Sequence, residues 1–121
     1  MDVMINVLIV VLAAAFLWTR FAPTKGVNSI TTGQLREMMR AKKPGTQYID
    51  VRTPGEYKGN HIKGFKNIPL QQLGSRSGEL SQDKDVVVIC QSGMRSSQAS
   101  KMLKKAGFNN ITNVKGGMSA W

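Results

Sequence analysis

The stretch Cys90-Gln91-Ser92-Gly93-Met94-Arg95 holds the residues of this chain best suited to chemistry. Cys90 is the only cysteine among 121 residues. It follows the apolar run Asp85-Val86-Val87-Val88-Ile89 and precedes a helical pattern. A thiol placed there has loop amides and a helix N-terminus turned toward one spot. Such a cradle favours a thiolate and holds an anion beside it. A free thiol titrates near pH 8.5, so little of it is thiolate at neutral pH without such help. Gly93 suits a tight loop that needs positive φ or close backbone approach. Gln91, Ser92 and Met94 are expected to offer backbone N–H groups, and Ser96 to open the helix. Arg95 has two readings: a planar fork for a bound oxyanion, or an ion pair that ties the loop down. The plain alternative for Cys90 itself is an inert core cysteine, although a core thiol has no need of a Gly-Met-Arg turn after it.

Asp50 and Arg52 lie at the end of a second strand and are supporting candidates. Asp50 is expected to bond loop amides and pair with Arg52. Arg52 is read equally as a source of positive potential and as a structural partner. Thr53-Pro54-Gly55-Glu56 is a capping box with proline at the first helical position. His61 is the only histidine and invites a Cys–His dyad. Without a cluster of His and Cys, neither a metal nor another cofactor is expected.

The elements that would position these residues alternate. Thr31 or Thr32 caps a helix carrying Leu35, Met38 and Met39, and Pro44-Gly45 stops it. Residues 47–51 read as a strand. A short helix follows Thr53, and Asn67-Ile68-Pro69 is a brief extended piece. Residues 70–80 are ambiguous, because Gly74 and Gly78 weaken a helix. Residues 85–89 are a continuous β-branched strand of the kind buried on both faces of a parallel sheet. Residues 96–106 read as a helix with Gly107 at its cap, and 110–114 as a last strand. This order predicts an α/β fold with a mainly parallel sheet, whose ligands bind beyond the carboxyl ends of the strands.

A hydrophobic content of 41% with 20% charged residues places the chain among folded proteins. The net charge of +10 admits a solvated surface, attraction to anionic lipid, or a nucleic-acid patch. No aromatics interleave the basic residues, so nucleic acid is not expected as a partner. Residues 3–18 are apolar apart from Asn6. They suggest an N-terminal transmembrane anchor over residues 1–21, with Trp18, Arg20 and Phe21 at the interface, a linker at 22–26 and a domain at 27–121. Cleavage as a signal peptide and burial as a core helix are the alternatives, and the start Met1-Asp2 lacks a basic n-region. Positive charge on the C-terminal side only predicts a single-pass membrane protein with its catalytic domain on the cytoplasmic side.

Four segments together are similar to the rhodanese-like sulfurtransferases. They are Asp50-Val51-Arg52 with Glu56-Tyr57, His61-Ile62-Lys63-Gly64 running to Asn67-Ile68-Pro69, Cys90 with Gly93 and Arg95, and Gly116-Gly117-Met118-Ser119-Ala120-Trp121. They follow the family's order and spacing. Phe65 departs from it, standing where a small residue is usual. The chain also ends at Trp121, where many members continue into a further helix, so a short last helix is expected. The resemblance implies a rhodanese-like fold and a thiosulfate sulfurtransferase. Cys90 would take sulfur from thiosulfate or a similar donor as a persulfide and pass it to cyanide, a small thiol or a protein acceptor. It also implies that His61 stabilises a turn rather than acting as base. Related phosphatases place one residue more between Cys and Arg than the four here, so phosphoryl transfer is not expected. The competing reading is a catalytically weak binding module on the same fold, tethered to the membrane.

Overall fold

The computed structural model describes residues 2–21 and 26–121; side chains 2 and 17–21 are left aside. The linker expected at 22–26, except Gly26, and the interfacial roles of Trp18, Arg20 and Phe21 therefore lie outside the described residues.

Helix α1 spans Asp2–Phe21. Among the described residues, no helix is long and apolar enough to cross a membrane. The apolar run at residues 3–18 rises about 24 Å at about 1.5 Å per residue, against a hydrocarbon core of about 30 Å. Asn6 also interrupts the run. This overturns the expected transmembrane anchor, and with it the single-pass placement and the cytoplasmic side.

After Gly26 the chain runs β1 (Val27–Ile30), α2 (Thr32–Arg40), β2 (Thr46–Asp50), α3 (Pro54–Gly59), β3 (Lys66–Asn67), α4 (Leu70–Arg76), β4 (Asp85–Ile89), α5 (Met94–Lys105), β5 (Ile111–Val114) and α6 (Gly117–Ala120). A 3-10 turn at Ser77–Glu79 extends α4. The five strands form one sheet in the order β1-β5-β4-β2-β3, and every pairing is parallel. The connection leaving β2 runs toward β3, and the one leaving β4 runs toward β5. The carboxyl ends of β2 and β4 therefore flank the point where strand order reverses, which is where an open parallel sheet forms a crevice.

Val86, Val88 and Ile111 pack with Leu73, Ala99 and Leu103 on the α4/α5 side. Val87, Ile89 and Val114 pack with Leu35, Ile62 and Phe65 on the α2 side. A strand covered on both faces has no polar face to show, so β4 reads as unbroken Val and Ile. Phe65 fits this layer: it is buried and its ring lies 5.1 Å from that of Tyr48. The expected capping box forms on α3 with Thr53 and Glu56, and of the two candidates on α2 it is Thr31 that caps, in a further box with Gln34. Strand β1 has no forecast in the sequence. Its VNSI carries a weak apolar signal, and it exists because it pairs with β5 from Val27 to Ile30.

Candidate active site

Alternation along β4 carries one residue past the strand, so Cys90 points with Val86 and Val88 toward the α5 side. Helix α5 starts at Met94, earlier than the expected Ser96, and this brings its first turn over the sulfur. Gly93 caps it at φ +103°, a left-handed conformation that only glycine adopts cheaply. The Gly93 N–H donates to Cys90 Sγ at 2.9 Å. The thiol donates to Ser96 Oγ at 3.3 Å, and Ser96 Oγ donates to the Gly93 carbonyl at 3.1 Å. A hydroxyl both accepts and donates, so Ser96 can serve the thiol as it stands and, after rotation, a thiolate. Cys90 and Ser96 are both 0% exposed. Gln91, Ser92 and Met94 lie above them, exposed.

The supporting pair is interior. Asp50 and Arg52 are 0% and 3% exposed, and Arg52 Nη2 donates to Asp50 Oδ2 at 2.8 Å. Asp50 Oδ1 accepts from the Arg52 backbone and from its Nε. The remaining donors of Arg52 reach the Asn60 carbonyl at 2.6 Å, the Glu56 carbonyl and Gln91 Oε1. A buried ion pair needs such extra bonds to offset its desolvation. Arg52 thus ties β2 and α3 to the start of the loop after β4 through Gln91, and Asp50 serves Arg52 instead of the loop amides.

Arg95 meets Glu56 in a bidentate pair, Nη1 to Oε1 at 2.6 Å and Nη2 to Oε2 at 2.9 Å. The Arg95 hydrogen bond is the largest cause holding the Glu56 carboxyl down at about 2. The Arg95 guanidinium is in turn raised, chiefly by that same bond. Of the two readings of Arg95, the geometry favours the ion pair that fastens the loop. His61 stays apart from Cys90: its Nδ1 donates to the Tyr57 carbonyl at 2.8 Å and its ring stacks on Tyr57 at 3.9 Å. It holds the turn, as the resemblance implied.

Helix α6 supplies what sequence reasoning missed. The Met118 and Ser119 amides donate to the Cys90 and Gln91 carbonyls at 2.8 and 2.9 Å. Ser119 Oγ donates to the Gln91 carbonyl and accepts from Gln91 Nε2. Gly117 has φ +56°, and a Cβ there would lie 2.2 Å from the Cys90 carbonyl oxygen. The doubled glycine was the available signal: it marks backbone pressed against backbone, not only a turn.

A parallel sheet with the chain's one cysteine at its switch point, beneath a glycine-capped helix, defines an α/β domain with a buried thiol site. Residues 31–121 match the family model described as Rhodanese-like domain, and the chain belongs to that family. It is 39% identical over 118 residues to the uncharacterized protein YqhL of Bacillus subtilis, covering 98% of this chain and 94% of that one. It is 32% identical over 92 residues to thiosulfate sulfurtransferase GlpE of Shewanella oneidensis, covering 76% and 89%. Among solved structures, a rhodanese-like domain protein from Staphylococcus aureus superposes with a TM-score of 0.73 at 32% identity, covering 78% and 90%.

Proposed function

We propose that the protein is a sulfurtransferase that carries sulfane sulfur on Cys90. The observation that carries this reading is the sulfur's position at the end of β4, accepting the Gly93 N–H at 2.9 Å with the Ser96 hydroxyl beside it. Membership of the family supports it. The Cys90 thiolate attacks the outer sulfur of thiosulfate. A Cys90 S–S bond forms, the bond to the sulfonate sulfur breaks, and its electron pair leaves on sulfite. Cyanide or a thiolate then attacks the outer sulfur of the persulfide and returns the electron pair to Cys90, so ping-pong kinetics are expected. Gln91, Ser92, Gly93, Met94 and Ser96 frame the sulfur and its donor, while Asp50, Arg52 and the Arg95–Glu56 pair fix the loop. Cys90 is the only cysteine, so the acceptor comes from outside the chain.

Complete burial of Cys90 is the one observation that favours a catalytically silent module instead. Intact mass after incubation with thiosulfate decides between them. A gain of about 32 Da, one sulfur, that cyanide removes and Cys90→Ser abolishes is the expected result. An unchanged mass, with thiosulfate–cyanide turnover no higher than in Cys90→Ser, overturns the enzyme.

A further inference from the structure

Helix α6 is four residues long, too short to hold its place alone. Its inner side is fixed by the loop after β4, where the Met118 and Ser119 amides donate to the Cys90 and Gln91 carbonyls at 2.8 and 2.9 Å. Its outer side is fixed by α2. Thr32 Oγ1 donates to the Ala120 carbonyl at 3.1 Å. Arg36, one turn further along α2, lays its guanidinium 3.8 Å over the Trp121 ring, and its Nη2 donates to the Trp121 main-chain oxygen at 2.6 Å. Helix α2 has its own capping box and does not need these ties to form.

The peptide groups that α6 grips are planar and trans, so each carbonyl and the N–H that follows it point in opposite directions. With the Cys90 and Gln91 carbonyls held toward α6, the N–H groups of Gln91 and Ser92 face away from it. Among the described residues, neither N–H meets an acceptor. Free donors of fixed direction, in the loop that begins at Cys90, suit an anionic sulfur. Their direction follows the position of α6. The contact between the two leaves no slack: a Cβ at Gly93 would lie 3.5 Å from the Gly116 nitrogen, and one at Gly117 would lie 2.2 Å from the Cys90 carbonyl oxygen. A shift of α6 is therefore passed to the loop.

We propose that Arg36 is a positioning residue for the chemistry of Cys90, acting through Trp121 and α6 to aim the Gln91 and Ser92 N–H groups at the sulfur that Cys90 carries. The proposal rests on the sulfur-transfer reading above and adds a residue to it. Arg36 sits on the face of the sheet opposite the one to which Cys90 points, so it acts on the sulfur without touching donor or acceptor.

The test compares the full chain with Arg36→Ala and, as a control on the same helix, with Arg40→Ala, whose side chain pairs with Glu37 in solvent. Amide hydrogen exchange followed by NMR should be about tenfold faster at Met118 and Ser119 in Arg36→Ala, the scale of one exposed cation–π contact with one hydrogen bond, and unchanged on β4 and β5. Sulfur loading at saturating thiosulfate should slow about tenfold, with half-saturation within about twofold of wild type, because the donor keeps its contacts and loses only their aim. On loading, the Gln91 and Ser92 amide protons should move downfield in the wild type and clearly less in Arg36→Ala. Arg40→Ala should match wild type in all three. Thr32→Val cuts the other tie and should move the same readouts in the same direction, which keeps the test open if Arg36→Ala fails to fold. Wild-type exchange at Met118 and Ser119, exchange that rises equally across the sheet, loading within about twofold of wild type, or the same loss in Arg40→Ala each overturn the proposal. A wild type that takes up no sulfur fails the sulfur-transfer reading and the proposal with it, whereas exchange on the unloaded protein still shows whether Arg36 holds α6.

Discussion

At the scale of single residues, the sulfur depends on two neighbours that differ in kind. Gly93 contributes backbone and cannot be replaced without forcing a side chain to φ +103°. Ser96 contributes a hydroxyl 3.3 Å from the sulfur, and its own proton goes to the Gly93 carbonyl. Ser96→Ala removes that hydroxyl and leaves a small cavity. A hydrogen bond to a charged group contributes about 1.5–3 kcal/mol, so the loading rate with thiosulfate should fall about 10- to 100-fold with little change in fold. Single-turnover mass measurements give the rate, and near-UV circular dichroism checks the fold; a rate within twofold of wild type removes Ser96 from the mechanism. Gly117 acts from farther off. A methyl group there meets the Cys90 carbonyl and also sits at positive φ. Gly117→Ala should destabilise the domain by about 2 kcal/mol or more and displace the loop, so denaturant unfolding and sulfur loading should both report it. If Gly117→Ala matches wild type in both, α6 does not set the loop.

At the scale of elements, Glu56 and Arg95 clasp α3 to α5. Glu56 keeps another duty, because its Oε1 also accepts the Thr53 backbone N–H in the capping box. Glu56→Gln retains an acceptor for that cap and removes the charge. A double-mutant cycle with Arg95→Gln should show a coupling of about 0.5–1 kcal/mol, the scale of a partly exposed bidentate pair. The pH dependence has a definite sign. The folded Glu56 carboxyl sits at about 2, below its ordinary 4.5, so its stabilisation is complete above pH 4.5 and is lost as pH falls toward 2. Glu79, also held at about 2 by Arg76 and then Lys66, fades in the same window. Urea midpoints followed from pH 6 to pH 2.5 should therefore fall less steeply for Glu56→Gln than for wild type, without becoming flat. The elements also show why some structure was legible in the sequence and some was not. β4, α5 and both capping boxes carry local signals: an unbroken Val/Ile run, spaced Ala and Leu, a Thr three residues before Gln or Glu. β1 lacks one, since its pairing with β5 joins segments more than eighty residues apart. The ion pair of Arg95 was visible only as one of two readings. Composition shows a cation near a thiol, and only the packing of α3 against the loop decides which anion it meets.

At the scale of the whole molecule, two features stand outside the core: an apolar helix and a large positive charge. Every described side chain of α1 from Val3 to Phe16 is exposed, with Val3 at 74% and Phe16 at 62%. Cys90, the loop that follows it and the side chains that hold that loop all lie after α1, so removing residues 1–21 should leave the melting temperature and sulfur loading unchanged; a drop of several degrees would mean that α1 packs on the domain. The apolar run at residues 3–18 is legible in the sequence, but an anchor does not follow from it, because the run falls short of the hydrocarbon thickness and Asn6 interrupts it. The charge bears directly on the reaction. A net +10 raises the local concentration of a dianion such as thiosulfate around the domain, and exposed charges are screened over about 10 Å at 0.1 M salt. Loading by thiosulfate should therefore slow several-fold between low salt and about 0.3 M sodium chloride. Alkylation of Cys90 by neutral iodoacetamide passes the same buried entrance without feeling the field, so its rate should stay level over the same range. Parallel declines would show that salt acts on the loop and not on the approach of the anion, and a flat thiosulfate rate would confine the positive charge to solvation of the surface.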